Sequence, residues 1–316
     1  MVTVVDDMAI AGSAEKVEEI IVFLENKFKM KRMGEVSTFV GLEVSRDRAD
    51  RTIWIQQTRY AADILERFEY QDLTPKSLPM ATGAVFRAAT EGEDIVDSSY
   101  YRSQLGSLMF LMVASRPDLA YACGIFAKYS DEPTMSHIRG LKNVFAYLAG
   151  TSRYKLKLGG VTRSVGWVDA AYADCKDKMR STCGYLFTVG EGAVSWSSKR
   201  QNHVVTSTVE AEYVAAAEAA KEAIWLNQLL GDLKETTYPV PLKCDNEGAI
   251  ALTKNPKSRG RTKHMDVRHH FIRECVEEGK IDLHYIGTKL QVADSLTKAV
   301  GVLTFQYFLK ETGLDL

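Results

Sequence analysis

Along this chain the apolar positions change their period twice. In the first eighty residues short apolar runs alternate with polar punctuation. Val2–Val5 and Met8–Ile10 flank Asp6 and Asp7, which predicts a β-hairpin with two acids at its turn, and it opens with no lead-in, as though inside a domain. Ser13 is placed to cap a helix reaching about Phe28. Phe39–Ser45 and Thr52–Gln56 read as two further strands and Tyr60–Phe68 as a short helix. Met80–Asp97 is small, polar and aperiodic, a linker by composition. From Ser98 to Gly150 the period is helical, with long segments at Tyr101–Met112 and His137–Leu148 and Pro117 near the first position of a middle helix.

From about Tyr154 the pattern turns to strands. Leu156–Leu158, Ser164–Val168, Cys183–Val189 and Ala193–Ser197 are strand-like, with Gly190–Gly192 as a turn. A long helix from about Thr208 to Leu230 follows, then a strand at Pro241–Cys244, helices at Glu247–Thr253 and Asp266–Glu278, a strand at Ile281–Ile286, and helix from Val292 onward. Strands, helix, strand, helices, strand and helix make a mixed α/β layer pattern. Three units are expected: 1–85, a helical 86–153, and 154–316.

Composition narrows the function only a little. Of 316 residues, 46% are hydrophobic and 26% charged, which is ordinary for a globular protein, and no apolar run approaches a membrane span. Lys+Arg (40) and Asp+Glu (41) nearly cancel, so bulk charge does not announce a polyanion partner, although a basic face balanced by acids elsewhere remains compatible. Cys123, Cys175, Cys183, Cys244 and Cys275 are odd in number and form no CxxC pair. They read as reduced thiols rather than a disulfide framework or zinc site. With Asp6 and Asp7 interrupting the early apolar stretch, no signal peptide is expected. The protein is expected inside the cell, in a cytoplasmic particle or the nucleus, and not secreted.

Four acids of the second half occupy comparable places. Asp169 follows the strand Ser164–Val168, Glu212 sits in the first turns of the long helix, Asp245 follows Pro241–Cys244, and Asp294 opens the final helix. Acids at strand ends and helix starts often serve only as caps. They also converge readily on one sheet edge, where several carboxylates need hard cations to coexist, and a magnesium pair would suit phosphodiester hydrolysis.

The words around these acids carry more. Gly166-Trp-Val-Asp-Ala-Ala-Tyr-Ala-Asp174, Arg180-Ser-Thr-Cys-Gly-Tyr-Leu-Phe187, Ser207-Thr-Val-Glu-Ala-Glu-Tyr-Val-Ala215, Cys244-Asp-Asn-Glu-Gly-Ala-Ile250, Arg261-Thr-Lys-His-Met-Asp-Val-Arg268 and Val292-Ala-Asp-Ser-Leu-Thr-Lys298 occur in this order. Over about Lys155 to Lys298 the chain resembles the RNase H domain of copia-type retrotransposon Pol polyproteins. That resemblance implies an RNase H-like fold and an Asp169–Glu212–Asp245–Asp294 site holding two Mg2+ ions, with Mn2+ as a substitute. Ser207 and Glu210 have the spacing of a capping box, which gives Glu210 a structural task; Glu212, followed by Tyr213 and Ala215, matches the family's metal-site glutamate. Asp174 is a further acid nearby, read as a loop carboxylate. The loop Gly287–Ala293 lacks the histidine frequent in cellular members. Arg261, Lys263, His264 and Arg268 are candidates for a phosphate-facing patch, with a solvated basic helix start as the alternative.

The first half extends the resemblance. Val4-Val-Asp-Asp-Met-Ala-Ile-Ala-Gly12 is similar to the hairpin of reverse transcriptase palm domains, whose acids bind metal, so Asp6 and Asp7 are candidate ligands of a polymerase remnant. Val4 stands where the family has Tyr, and a third acid would have to come from an upstream strand, so polymerase activity is not expected of this chain alone. Residues 1–85 then correspond to a partial palm, 86–153 to a thumb or connection segment, and 154–316 to the RNase H-like domain. The expected activity is metal-dependent cleavage of RNA in an RNA–DNA hybrid; the expected partners are that hybrid and a missing reverse transcriptase part, with no membrane. The alternatives are a non-catalytic nucleic-acid-binding remnant, or a polymerase subunit active only in association.

Overall fold

The computed structural model describes residues 1–160, 163–175, 179–233, 239–254 and 266–316, with backbone only at 175, 254 and 266–270. The hairpin is β1 (Val2–Val4) against β2 (Asp7–Ala9), and α1 (Ala14–Glu25) follows, its first turn capped by the Ser13 hydroxyl accepting from Lys16 N–H. Next come β3 (Thr38–Phe39), β4 (Leu42–Asp47), β5 (Thr52–Gln56) and α2 (Thr58–Arg67). Residues 68–97 contain no helix and only one isolated bridge, Ile95 with Thr134. The helical stretch resolves into α3 (Ser98–Ala114), α4 (Ala120–Ala127) and α5 (Met135–Thr151). Pro117 opens a 3-10 turn, Pro117–Leu119, ahead of α4.

The second half builds β6 (Lys155–Leu158), β7 (Ser164–Cys175), β8 (Arg180–Val189), β9 (Gly192–Arg200), α6 (Thr208–Asp232), β10 (Val240–Cys244), α7 (Glu247–Lys254), α8 (Asp266–Glu277), β11 (Ile281–Tyr285), α9 (Val302–Thr312) and β12 (Leu314–Asp315). Five of these strands form a mixed sheet in the order β11-β10-β7-β8-β9. β7, β8 and β9 are an antiparallel meander, and β10 joins β7 in parallel, with β11 parallel beyond it. This α/β arrangement is RNase H-like.

Successive side chains of a strand point to opposite faces, and both faces of this sheet are covered. Val168, Phe187, Leu242 and Cys244 face α6 and α8, meeting Tyr213, Ala220 and Ile272. Trp167 and Leu186 face the other way, into a core shared with Leu105, Leu108, Phe145, Leu296 and Phe305. The helices of the first half thus pack on the sheet of the second. Trp196 of β9 donates its indole N–H to the carbonyl of Met112 in α3 at 2.9 Å.

The division at residue 154 does not coincide with a gap. β6 pairs with β5 on one side and β12 on the other, within a second sheet ordered β12-β6-β5-β4-β3. The tip of the β8–β9 turn presses on β6: a Cβ at Gly192 would lie 1.8 Å from the Lys157 carbonyl oxygen, so only glycine fits.

Three of the expected elements differ. The single strand expected at Phe39–Ser45 is two, β3 and β4, paired antiparallel about a turn at Val40 and Gly41, where φ is positive. β7 continues to Cys175, because Ala170 and Ala171 pair onward with Cys183 and Thr182, so Asp169 lies inside the strand and not at its end. Asp294 lies in a separate 3-10 turn, Val292–Leu296, and the last helix begins only after Gly301. Gln291 holds that turn in place: its amide donates to the Val168 carbonyl at 2.9 Å and its Oε1 accepts from Ala293 N–H at 3.2 Å.

In the helical layer a buried Arg116 clasps Asp118 (Nη2 to Oδ2, 2.7 Å), while its remaining donors reach the Thr151 carbonyl and hydroxyl and Tyr147 donates to Asp118 at 2.6 Å. Removing one member strands the other charge away from water. Asp118→Ala is expected to cost about 3–5 kcal/mol of folding free energy, read by denaturant titration of the whole chain; a loss below about 1 kcal/mol would mean that this network is dispensable.

Candidate active site

The site grows from the register of two strands. Leu242 is level with Gly166 and Lys243 with Trp167, and two residues further this parallel register brings Asp245 beside Asp169. Asp294 arrives on the 3-10 turn, which lies against β8 at Gly184. A Cβ there would meet Thr297 Cγ2 at 2.7 Å and Leu296 Cβ at 2.8 Å, so a glycine is what lets the turn approach. Carboxylate oxygens of Asp169, Asp245 and Asp294 all lie within 4.8 Å of one another. Among the described residues this is the cluster with metal-ligand geometry.

Glu212 completes the group from α6. The helix start is fixed by Ser207, whose hydroxyl accepts from Glu210 N–H at 3.1 Å, and by Gln201, which donates to the Ala211 carbonyl at 2.9 Å. Glu210 reaches back as a cap, but to Thr206, accepting from its N–H at 2.7 Å and its hydroxyl at 2.9 Å, one residue earlier than the capping-box spacing implies. Glu212, in contrast, is buried, and its Oε2 has no hydrogen-bond partner. Burial, reinforced by Asp169 and Asp245, pushes its pKa up to about 9. Burial and then Asp169 push Asp294 up to about 6, against the pull of Lys298, and burial raises Asp169 as well. A buried oxygen without a donor, amid carboxylates that resist joint ionisation, fits a hard divalent cation bound by oxygen ligands.

Two residues without an assigned role in the sequence reading also grip the cluster. The Thr297 hydroxyl donates to Asp169 Oδ2, and Lys298 Nζ sits 2.9 Å from Asp294 Oδ1. Both lie in the quoted stretch Val292–Lys298, but only the docking of the turn reveals which carboxylate each meets. Asp174 stands apart from the three-aspartate group: its Oδ2 accepts from the Thr182 hydroxyl at 2.8 Å, with Lys128 at 3.8 Å. Asp6 and Asp7, exposed at the tip of the β1–β2 hairpin, are also outside it. Arg261, Lys263 and His264 lie outside the described residues, as does the side chain of Arg268. The described cysteines, Cys123, Cys183, Cys244 and Cys275, are free and buried. No helix among the described residues is long and apolar enough to cross a membrane.

A five-stranded mixed sheet carrying acids on adjacent strands, a helix and a following turn defines an RNase H-like protein. A family model described as reverse transcriptase (RNA-dependent DNA polymerase) matches residues 1–82. The chain is 37% identical over 303 residues to the retrovirus-related Pol polyprotein from transposon TNT 1-94 of Nicotiana tabacum, covering 94% of this chain and 23% of that protein. It is 35% identical over 318 residues to the retrovirus-related Pol polyprotein from transposon RE2 of Arabidopsis thaliana, covering 99% and 22%. Among solved structures, LC11-RNase H1 in complex with RNA/DNA hybrid aligns with a TM-score of 0.34 and 18% identity, over 43% of this chain and 94% of that one. The chain belongs to the family of copia-type retrotransposon Pol polyproteins. It spans under a quarter of the length of these two relatives.

The raised pKa values set a pH dependence for metal-free protein. Folding favours the protonated forms of Glu212 and Asp294, so their contribution is fully present below the ordinary carboxylate values of 4.5 and 3.8. It is lost as pH rises through about 6 for Asp294 and about 9 for Glu212. Melting temperature in chelator should therefore fall across this window, and Glu212→Gln should flatten the fall. A flat profile for the wild-type protein would contradict the electrostatic description.

Proposed function

We propose that the chain is a divalent-metal-dependent endoribonuclease that cuts the RNA strand of RNA–DNA hybrids, with Asp169, Glu212, Asp245 and Asp294 as its metal ligands. The observation that carries this reading is the convergence of three aspartates within 4.8 Å with the buried, partnerless Glu212 oxygen. The donor set is all carboxylate, which suits Mg2+ or Mn2+ and lacks the Cys and His donors that zinc sites favour. Such ions, two in our reading, supply Lewis acidity for phosphodiester hydrolysis when bound. The protein's part is to hold the acids at fixed separations: Thr297 orients Asp169, Gln291 ties the Asp294 turn to the neighbouring strand, and the Glu210 cap fixes the start of α6 so that Glu212 points to the cluster.

The substrate follows from family context. An RNA-dependent DNA polymerase leaves its new DNA paired with the RNA template, so a nuclease beside such an enzyme meets a hybrid. Arg261, Lys263, His264 and Arg268 are proposed to contact its phosphates. We assign 1–85 to part of a palm, with Asp6 and Asp7 as its remnant metal ligands, 86–153 to a thumb or connection, and 154–316 to the nuclease, joined through the shared core.

The whole chain should cleave the RNA strand of an end-labelled hybrid in Mg2+ and stop with excess chelator. Asp245→Asn and Glu212→Gln should each abolish most cleavage with the circular dichroism unchanged. Glu210→Gln should cost at most about 1 kcal/mol of stability and remain active. Cleavage that survives chelation refutes the metal site, an active Glu212→Gln beside a dead Glu210→Gln refutes the assignment of the glutamate, and binding without cleavage would favour a non-catalytic remnant.

A further inference from the structure

Lys298 is an unexpected neighbour for a site meant to hold cations. Its ammonium lies 2.9 Å from Asp294 Oδ1, and carboxylate oxygens of Asp169 and Asp245 lie within 4.8 Å of one of Asp294's. The Asp294 side chain is only 8% exposed whereas that of Lys298 is 48% exposed, so the acid is fixed and the base can leave. The backbone tethers the pair: Lys298 N–H donates to the Asp294 carbonyl at 3.0 Å. Lys298 helps line a small crevice with Leu78, Met80 and Tyr121, while the preceding residue, Thr297, grips Asp169. One short turn thus brings a hydroxyl to one carboxylate of the cluster and a cation to another.

We propose that Lys298 is the resident counter-cation of the carboxylate cluster, holding it together when no metal is bound and yielding Asp294 to a divalent ion when one arrives. The proposal rests on reading the cluster as a metal site and deepens it by naming what sets its affinity. An exposed lysine–aspartate pair contributes little by itself. Here the partner is buried beside other carboxylates, where a single positive charge relieves several repulsions at once. A divalent ion at Asp294 would lie within a few Å of the ammonium and be repelled by it. The long flexible stem and half-exposed head let the lysine withdraw to solvent. Lys298 is therefore a positioning residue acting through Asp294, and it weakens metal binding in return for a cluster that stays formed without metal.

The experiment uses the whole chain without nucleic acid. Calorimetric titration with Mn2+ and Mg2+, and thermal melts in chelator and in metal, compare wild type with Lys298→Met, Lys298→Gln and Lys298→Arg. The Met and Gln variants should bind metal about tenfold more tightly, melt lower in chelator, and gain more from added metal, while Lys298→Arg behaves like wild type; Gln is informative should Met fail to fold. Unchanged affinity and melting, or weaker binding in both neutral variants, overturns the counter-cation role while leaving the metal site standing. Absence of metal binding in every folded form, wild type included, overturns the metal site and this inference with it.

Discussion

Burial of both faces of the β7–β8 ladder is the constraint on which the rest of the molecule depends. A strand pair whose alternate residues are Val168 and Phe187 on one side and Trp167 and Leu186 on the other has no side it can show to water. α6 and α8 cover the first face, as an RNase H-like fold requires. The second is covered by α3–α5 and the C-terminal turn and helix, so the helical segment is a structural layer of the second half and not an appendage joined by a linker. Asp169 projects on this second face, and the turn that seals it also brings Asp294 and Thr297 to the site. Packing and chemistry are in this sense one arrangement.

Gathering acids on a buried surface is electrostatically unfavourable, and the structure meets that cost in three ways. A hydrogen bond from Thr297 to Asp169 and the ion pair of Lys298 with Asp294 supply local compensation. Protonation, favoured by the raised pKa values of Glu212 and Asp294, removes charge outright. A divalent ion would remove the need for protonation and satisfy the remaining Glu212 oxygen. These are competing states of the same oxygens, so proton, lysine and metal occupancy are linked.

Most of the element order is legible in the sequence because long apolar runs are local signals, and the motif words around Asp169, Glu212, Asp245 and Asp294 mark these acids out for the same reason. Asp245 is placed by the strand expected at Pro241–Cys244 directly before it, which the structure begins one residue earlier, at Val240. The element holding Asp294 was misjudged because five residues of 3-10 turn and the first turn of an α-helix look alike until Gly301 is seen to separate them. Thr297 and Lys298 were in plain view, but their partners depend on where the turn docks, and a glycine on another strand decides that. The shared core was invisible for a related reason: Trp196 and Met112 are 84 residues apart, and nothing local in either announces the other. The two-residue strand β12 has too few residues to show a period.

The place of β6 has a consequence for processing. Proteases that divide a polyprotein need an extended peptide that can leave its surroundings and lie in a cleft. Around residues 155–158 the backbone is already extended, but it is hydrogen-bonded to β5 on one edge and β12 on the other, with the Gly192 turn resting on Lys157. A protease would have to unzip the middle of a sheet to cut there. The peptide at 155–158 is thereby held on both edges, and the segments before and after it share one sheet.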